Sequence, residues 1–364
     1  MRICILTQPI RSNYGGILQA YALQKTLKDM GHDVTTLLFH PPISWVPSGI
    51  RKYLLTGRRF LAKYIKGNKD IVYCNPDRQT RFAYREMDRF ISEHLSCLEA
   101  RTPLSLQDLP AFDAFVVGSD QVWRPAYSPW LPDFYLDFLG DAPVKRIAYA
   151  ASFGVDKWEA DEQMTARIRP LAQKFDAITV REESGISLCE KYLGVDAVTM
   201  PDPTLLLQDS DYFSLCQPAT GEQKPYIATY MLDREDSLLH FADRMSKRLG
   251  IPVKDIGEIN WAKCADSPAE WIKCIAGASL VLTDSFHGTV FSLLFKRNFF
   301  SIVNHARGAS RFESLLDFVG LREHLVDRCD LENFDPDLTD IDYSPVSRSL
   351  AALRQKGLQF LQTL

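Results

Sequence analysis

The sequence lacks the long apolar runs and the cysteine pairs that mark several large classes of protein. No apolar stretch approaches the ~18 residues that a membrane-spanning helix needs. The start, MRICILTQPIRSNYGG, lacks the long apolar core of a secretory signal, so a cytoplasmic protein is expected. No C-x-x-C pair occurs among the eight cysteines, so no zinc site is predicted. Most of these cysteines are expected to be reduced, packed thiols.

Charge of either sign is not in large excess. Lys and Arg number 42 and Asp and Glu number 46, which gives a formal net charge of −4. This balance argues against a protein built mainly to coat nucleic acid. The 46% apolar and 11% aromatic content is ample for packed cores. At about 150 residues per domain the length favours two domains.

Strands and helices alternate along the chain in two series, which predicts parallel sheets. The first series has predicted strands at 2–6, 33–39, 112–117, 146–150, 176–180 and 197–200. The second has predicted strands at 226–231, 251–256, 280–283 and 298–303, and a closing helix at 345–363. The expected fold is α/β, with two doubly wound Rossmann-like domains that face a cleft. The expected boundaries are 1–200 with a helical insertion at 41–100, then 201–344, then 345–364 as a helix returning to the first domain.

Ligands of such sheets bind outside the carboxyl ends of the strands, so the residues that follow each strand are the candidates for a site. Asn13, Gly15 and Gly16 follow the first strand and open a helix. Free amides at a helix start favour an anion, and glycine lets it approach closely. A tight strand-to-helix turn explains the same residues. The strict G-x-G-x-x-G spacing of a dinucleotide site is absent.

A second polar group, GSDQVW, follows the predicted strand at 112–117. Asp120 is a candidate general base toward a sugar hydroxyl. Ser119 and Gln121 are candidate substrate contacts, and Trp123 is a candidate for stacking on the apolar face of a sugar. The alternative is that Asp120 caps the following turn and Trp123 belongs to the core.

Arg181 follows the predicted strand at 176–180. Its rigid guanidinium fork suits a carboxylate or a phosphate. The alternative is a structural ion pair between Arg181 and Glu183.

The segment TDSFHGT places Asp284, Ser285 and His287 between a strand and the start of a helix. An imidazole and hydroxyl groups beside a helix N-terminus suit oxyanion binding and proton transfer near neutral pH. Four basic residues further along can add positive charge to the same cleft, although each alone is typical of a solvated surface: Lys296, Arg297, Arg307 and Arg311.

Residues 51–69, RKYLLTGRRFLAKYIKGNK, contain seven basic residues, no acidic residue and interleaved apolar side chains. A basic amphipathic helix of this kind can lie on an anionic membrane. The alternative is a helix packed on its own domain with a solvated basic face.

Six segments occur in the order found in one enzyme family: NYGGILQAYAL, FDAFVVGSDQVW, RIAYAASFG, ITVREESG, MPDPTLLL and TDSFHGTVFSLLF. Together they make a chain that resembles the polysaccharide pyruvyl transferase family over roughly residues 1–320. The resemblance implies a GT-B-like fold, that of the two-domain nucleotide-sugar glycosyltransferases. It also implies transfer of the pyruvyl group of phosphoenolpyruvate to a sugar, forming a cyclic ketal and releasing phosphate.

The resemblance also implies roles for particular residues. In the family, a histidine after a late strand and arginines from both domains hold phosphoenolpyruvate. The resemblance implies that His287 and Arg181 have this role in this chain. For the later basic contact, Arg307 is the first choice and Lys296 the second.

This chain departs from the family at one position of the late motif. Family members often carry Arg-Leu-His where this chain has Ser285-Phe286-His287, so one phosphate contact is missing. Arg307 or Arg311 is expected to replace it.

The chemistry of phosphoenolpyruvate agrees with these residue types. Its phosphate and carboxylate require several cationic donors. Its methylene carbon takes a proton, and two sugar hydroxyls then add at C2 while phosphate leaves, so one group gives a proton and another accepts protons. His287 is the candidate acid or phosphate-polarising group, Asp120 the first candidate base and Asp284 the second. No metal, and no cofactor beyond the donor substrate, is expected.

The implied acceptor is a sugar of a surface polysaccharide precursor, often lipid-linked, which would give residues 51–69 a purpose at the inner face of the membrane. Two other functions fit the sequence. A nucleotide-sugar glycosyltransferase of the same fold needs a strand-end carboxylate for the ribose, for which Glu258 is the candidate. A non-catalytic glycan-binding member would fit the missing arginine, because a fold alone does not guarantee chemistry.

Overall fold

The protein is an α/β protein built on two parallel sheets, seen here in a computed structural model. The structure describes residues 1–10, 13–39, 83–128, 130–216, 224–233, 235–257, 265–303 and 308–364. The basic segment 51–69, Arg307 and Glu258 lie outside these described residues, so their predicted roles stay predictions.

The N-terminal sheet has seven parallel strands in the order β3-β2-β1-β4-β5-β6-β7. The strands are β1 (Arg2–Leu6), β2 (Asp33–Phe39), β3 (Cys97–Ala100), β4 (Ala114–Val117), β5 (Lys145–Ala151), β6 (Ala177–Val180) and β7 (Val198–Thr199). The helices that accompany them are α1 (Tyr14–Asp29), α2 (Arg85–His94), α3 (Glu162–Ala172) and α4 (Glu183–Leu188). Strand order reverses between β1 and β4, which makes their carboxyl ends the expected binding edge.

The C-terminal sheet has five parallel strands in the order β12-β11-β10-β8-β9. The strands are β8 (Ile227–Tyr230), β9 (Val253–Asp255), β10 (Leu280–Thr283), β11 (Asn298–Val303) and β12 (Leu325–Asp327). The remaining described helices are α5 (Asp209–Phe213), α6 (Asp236–Leu249), α7 (Pro268–Ala276), α8 (Phe286–Leu294), α9 (Ser310–Val319) and α10 (Tyr343–Leu361). This sheet reverses its order between β8 and β10.

Shorter helical turns lie at Leu106–Asp108, Leu131–Tyr135, Asp137–Leu139, Cys189–Leu193, Pro203–Leu206, Arg322–His324 and Arg328–Asp330. The predicted α/β class with two parallel sheets is confirmed. Two strands were missed on the sequence. β3 falls at the end of the segment 41–100 that was predicted to be a helical insertion, and β12 is an edge strand of three residues for which no strand was predicted.

The central strands form because they are continuous apolar runs covered on both faces. All four residues of β4, β8 and β10 are buried. Such runs are typical of parallel sheets with helices on both sides. Helix starts are set by local capping, as at α7, where the Ser267 hydroxyl accepts from the Glu270 amide and Pro268 occupies the first turn.

The two halves of the chain contact each other through α1. The ring of Tyr14, at the start of α1, stacks on Trp271 of α7 with centroids 5.5 Å apart. The Tyr14 hydroxyl donates to the carbonyl of Asp266 at 3.0 Å. The closing helix α10 packs beside the N-terminal sheet, where Phe360 contacts Tyr149 with ring centroids 5.9 Å apart. The two contacts of Tyr14 fix the start of α1 next to the C-terminal sheet.

Candidate active site

A cavity of about 420 Å³ lies where the carboxyl ends of the two sheets meet. Residues after β1 and β4 line one side, and residues after β8 and β10, with the start of α9, line the other. The lining residues are Gln8, Pro9, Asn13, Asp120, Gln121, Tyr127, Leu232, Asp284, Ser285, Phe286, His287, Gly308, Arg311 and Phe312. This is the position at which doubly wound sheets bind ligands.

His287 reaches the cavity because a rigid turn connects β10 to α8. The Ser285 amide donates to the Thr283 hydroxyl at 3.0 Å, and the Ser285 hydroxyl caps the helix by accepting from the Gly288 amide. A Cβ on Gly288 would lie 2.2 Å from Thr283 Oγ1, so the turn closes only with glycine there. His287 is therefore held in the first turn of α8.

The imidazole of His287 packs directly on the start of α1. A Cβ placed on Gly15 would lie 2.1 Å from His287 Nδ1, so only glycine allows this approach. His287 is 4% exposed, and its Nε2 has no hydrogen-bond partner. A buried polar atom without a partner is rare in proteins and marks a position that a ligand or water can occupy.

Asp202 is a buried carboxylate that joins residues from both halves of the chain. It accepts from Arg181 Nη1 at 2.7 Å, from the Thr204 hydroxyl at 2.6 Å and from the Ser119 hydroxyl at 3.3 Å. Its Oδ2 lies 3.6 Å from His287 Nε2. Burial alone would raise the pKa of Asp202, but His287 and Arg181 outweigh burial and hold that pKa well below its usual range.

No role was predicted for Asp202 on the sequence, although it lies in the segment MPDPTLLL. The signal that could have found it is a carboxylate between two prolines directly after the last strand of the first series.

The Arg181 guanidinium is fully buried and only partly neutralised. Its Nη2 lies 3.7 Å from Asp120 Oδ1, and its Nε and Nη2 have no hydrogen-bond partner. Burial lowers the pKa of Arg181, but the charges of Asp202, Asp120 and Glu182 outweigh burial and raise it. The predicted alternative, an ion pair with Glu183, is not what forms, because Arg181 pairs with Asp202 instead.

Arg311, at the start of α9, is a buried cation that forms no salt bridge or hydrogen bond with the described residues, although the charges of Glu182 and Asp120 act on it from a greater distance. It is 8% exposed, and its Nε is among the buried atoms without a partner. Its guanidinium lies 5.6 Å from the ring centroid of Phe286, and that of Arg181 lies 4.8 Å from the same centroid. Burial and the charge of Arg181 lower the pKa of Arg311 to about 10. An unpaired buried charge costs several kcal/mol, so this position favours an anion.

Asp120 lines the cavity from the loop after β4, with its side chain 14% exposed. Its φ of 66° is in the left-handed region, which aspartate tolerates better than most residues. Its Oδ1 accepts from the Gln121 amide at 2.9 Å, and its carbonyl accepts from the Ser152 amide at 3.0 Å. The carboxylate is thereby held at the cavity surface.

The glycines at the start of α1 are not open to an anion in this arrangement. Asn13 caps the helix, and its Oδ1 accepts from the amides of Gly15 at 3.0 Å and Gly16 at 3.5 Å. Of the three, only Asn13 lines the cavity. Ser119 is fully buried. Its hydroxyl lies within hydrogen-bonding distance of both the Ala150 carbonyl and Asp202 Oδ2, so it helps to hold the Asp202 carboxylate.

Three other predicted site residues lie in three different environments. Trp123 is 1% exposed, stacks on Tyr135 and donates to a backbone carbonyl, so its ring belongs to the core. Lys296 is exposed beyond the C-terminal end of α8, at the opposite end of that helix from His287. Asp284 lines the cavity, but its two oxygens accept from the amides of Leu232 at 2.6 Å and Asp233 at 2.8 Å.

The two halves also touch through bare backbone at the edge of the cavity. A Cβ on Gly308 would lie 1.5 Å from the carbonyl oxygen of Gly154, which follows β5. The side chain of Glu182 fixes this loop by accepting from the amides of Phe153 and Gly154.

Within the described ranges, no cluster of three or more His, Cys, Asp or Glu side chains is arranged to hold a metal ion. Among the helices of the same ranges, none combines the length and the apolar character needed to cross a membrane.

Solved structures of glycosyltransferases and of a sugar-nucleotide epimerase are similar to this chain at low sequence identity. UGT89C1 of Arabidopsis thaliana, complexed with UDP-L-rhamnose, has a TM-score of 0.50 at 12% identity, covering 100% of this chain and 98% of that chain. The glycosyltransferase SsfS6 of Streptomyces sp. SF2575, complexed with thymidine diphosphate, has a TM-score of 0.46 at 12% identity, covering 100% and 99%. The UDP-N-acetylglucosamine 2-epimerase of Rickettsia bellii has a TM-score of 0.43 at 9% identity, covering 99% and 97%.

At such low identity the first of these likenesses shows the fold alone. The two parallel sheets and the cavity between their carboxyl ends define a protein of the GT-B fold class. No curated protein matches the chain in sequence.

The sequence profile of the polysaccharide pyruvyl transferase family matches residues 13–306, which is most of the chain. The chain therefore belongs to the polysaccharide pyruvyl transferase family and is a transferase by that membership. The resemblance found in the sequence motifs is confirmed.

Proposed function

We propose that the protein transfers the pyruvyl group of phosphoenolpyruvate to two hydroxyls of one sugar, forming a cyclic ketal and releasing phosphate. Membership of the family supports pyruvyl transfer. The choice of phosphoenolpyruvate as donor depends on the charges that surround the cavity.

The observation that carries this proposal is Arg311, a buried cation at the cavity that forms no salt bridge with any described residue. Arg181 and His287 add two further groups whose buried nitrogen atoms lack hydrogen-bond partners. A small ligand with a carboxylate and a phosphate would neutralise such a cluster, because guanidinium groups bind both anions in a planar, bidentate way.

Acid–base chemistry is assigned to groups on opposite sides of the cavity. His287 gives a proton to the methylene carbon of phosphoenolpyruvate, which becomes a methyl group and leaves C2 electron-deficient. Asp120 accepts the proton of the first sugar hydroxyl as its oxygen bonds to C2. The second hydroxyl bonds to C2 as the C–O bond to phosphate breaks, and its proton leaves with the phosphate. The proton taken by Asp120 restores the one that His287 gave.

Asp202 acts here as a positioning residue. It contacts both Arg181 and His287 from the buried side, at 2.7 and 3.6 Å. A fixed negative charge at this point orients His287, which lines the cavity, holds Arg181, which is not among the lining residues, and offsets part of their desolvation.

The acceptor in this proposal is a sugar of a surface polysaccharide precursor carried on a lipid. The reaction would then take place in the cytoplasm at the inner face of the membrane. Residues 51–69, outside the described ranges, supply seven basic side chains that can bind an anionic surface. Nucleic acid is not an expected partner at a net charge of −4.

Thermal shift and phosphate release test the proposal together. Phosphoenolpyruvate should raise the melting temperature of the wild-type protein, whereas UDP-glucose should not, because only a ligand that binds the native state stabilises it. Phosphate release should require both phosphoenolpyruvate and a sugar such as a 4-nitrophenyl hexopyranoside. His287→Ala should lose about 10²- to 10⁴-fold in kcat while staying folded. Stabilisation by UDP-glucose alone would instead support a nucleotide-sugar glycosyltransferase.

A further inference from the structure

We propose that Tyr127 is the stacking platform for the acceptor sugar, so that the ring of the sugar lies on the phenol ring at the cavity mouth. This inference rests on the proposed function, because it names the subsite for that reaction's acceptor. It takes the place of Trp123, which was one candidate for stacking on the sequence and which the structure buries in the core.

Tyr127 has the position and exposure that stacking requires. It lines the same cavity as Asp120 and His287, and it is 43% exposed. It sits in a turn in which its own amide and that of Ser128 donate to the Arg124 carbonyl, each at 3.0 Å. An aromatic ring that is open to solvent at the edge of a polar cavity can cover the C–H face of a pyranose, which is apolar.

The ring of Tyr127 is held in place by a fixed cation. The Arg124 guanidinium lies 4.7 Å from the ring centroid. Arg124 is anchored in turn by Glu159, with its Nε and Nη2 each donating at 3.1 Å, and by Gln121 Oε1 at 3.1 Å. A platform fixed before the ligand arrives loses little conformational entropy on binding.

The chemical composition of the cavity places a sugar on the side of Tyr127. The neighbours of Tyr127 on the loop after β4 are Asp120 and Gln121, whose carboxylate and amide suit sugar hydroxyls. The C-terminal half contributes the imidazole of His287 and the guanidinium of Arg311 to the same cavity, and these groups suit an anion. A neutral sugar stacked on Tyr127 therefore has the candidate base beside it and the donor across from it.

Steady-state kinetics with variable acceptor and variable donor test this inference. The acceptors are the 4-nitrophenyl β-galactoside, β-glucoside and β-N-acetylmannosaminide, each assayed with phosphoenolpyruvate. Tyr127→Ala should raise the KM for the acceptor about tenfold and leave the KM for phosphoenolpyruvate unchanged, since an aromatic contact contributes up to about 1.5 kcal/mol. Tyr127→Phe keeps the ring and should retain the wild-type KM for the acceptor.

The matched control is Trp130→Ala. Trp130 is an exposed aromatic residue that also lies under an arginine, with the Arg167 guanidinium 5.6 Å from its ring, but it does not line the cavity. This variant should have the acceptor KM of the wild type, and a rise equal to that of Tyr127→Ala would overturn the inference.

Two further results would also overturn it: an unchanged acceptor KM in Tyr127→Ala, or a loss in Tyr127→Phe as large as in Tyr127→Ala, which would assign the effect to the hydroxyl. A failure of the proposed function is distinguishable from these. In that case the wild-type protein itself forms no ketal with any of the three acceptors.

Discussion

Asp202 Oδ2 and His287 Nε2 lie 3.6 Å apart, although Asp202 follows the last strand of the N-terminal sheet and His287 belongs to the C-terminal half. The same carboxylate accepts from Arg181 at 2.7 Å. One buried negative charge thus contacts both of the cationic groups that are proposed to hold the donor.

Asp202→Asn should leave a folded protein with a much lower kcat. The amide keeps the shape of the carboxylate and can still accept from Thr204, but it no longer offsets the charge of Arg181 or orients His287. We expect kcat to fall on the order of 100-fold, as for other residues that orient a catalytic imidazole. Initial rates of phosphate release measure the effect, and circular dichroism checks the fold. A variant with wild-type kcat would show that Asp202 has only a structural role.

The acid sensitivity of the protein should also change in Asp202→Asn. The pKa of Asp202 is depressed in the folded state, so its contribution to stability is present above the pKa of an unfolded aspartate, about 3.9, and is lost as the pH falls below that value. Urea unfolding as a function of pH should show a shallower loss of stability on the acid side in the variant. An acid limb identical to that of the wild type would contradict this prediction.

Asp133 should make the protein less stable as the pH rises toward neutrality. Burial raises the pKa of Asp133 to about 7, although its oxygens accept from the Leu104 amide at 3.0 and 3.1 Å. A raised folded-state pKa favours the native state below the unfolded pKa, and that stability is lost as the pH rises from about 4 to about 7.

Asp133→Asn removes this titration while keeping an acceptor for Leu104. The free energy of unfolding of the variant minus that of the wild type is the quantity to compare. This difference should be about 1 to 2 kcal/mol larger at pH 8 than at pH 5, after allowance for solvent screening. Urea unfolding at the two pH values measures it. The prediction fails if the difference between the two proteins does not depend on pH.

Gly15→Ala should displace His287. Alanine favours the helix by about 1 kcal/mol over glycine, so α1 itself should not weaken. The new Cβ, however, would lie 2.1 Å from His287 Nδ1. We expect at least about a tenfold loss of kcat, because a displacement of about 1 Å can cost much more than that.

Gly16→Ala is the matched comparison for Gly15→Ala. A Cβ on Gly16 would find no described atom nearer than 3.7 Å. This variant should therefore lose less activity than Gly15→Ala in the same assay of phosphate release. Equal losses in the two variants would show that the contact with His287 is not the cause.

Arg311→Met should stabilise the unliganded protein and prevent it from responding to phosphoenolpyruvate. Replacing an unpaired buried charge by an apolar side chain of similar size removes a desolvation cost and is expected to contribute about 1 kcal/mol or more to stability. The melting temperature should therefore rise without ligand, while the shift caused by phosphoenolpyruvate disappears.

Arg322→Met serves as the control for Arg311→Met. Arg322 is half exposed and pairs with Glu313 and Asp317, which belong to α9, the helix that also carries Arg311. Its loss should change little and leave the ligand-dependent shift of the melting temperature intact. Persistence of the full shift in Arg311→Met would remove Arg311 from the donor site.

The regular elements could be predicted from the sequence where period and length are unambiguous. The strands at 33–39 and 298–303 have the predicted limits, because each combines an apolar pattern with clear end signals. The strand Cys97–Ala100 was missed because its residues are only partly buried at the edge of the sheet. Edge strands lack the continuous apolar run of central ones.

The candidate site was predictable only in part. Residues directly after strands, such as Asp120 and His287, line the cavity because the carboxyl ends of parallel strands meet there. Asp202 was missed because its importance depends on two partners that are distant in sequence. For Trp123 the sequence left a sugar contact and a place in the core both open, and the structure shows the core, since position after a strand does not show which way a side chain points.

The contact between Gly308 and Gly154 has a consequence for how the cleft can be manipulated. Because the backbones of the two halves meet there without intervening side chains, the spacing between the halves depends on the residue at position 308. A single added methyl group at that point would push the two halves apart. Substitution of Gly308 therefore offers a way to hold the cleft open and to capture a conformation that large acceptors could enter.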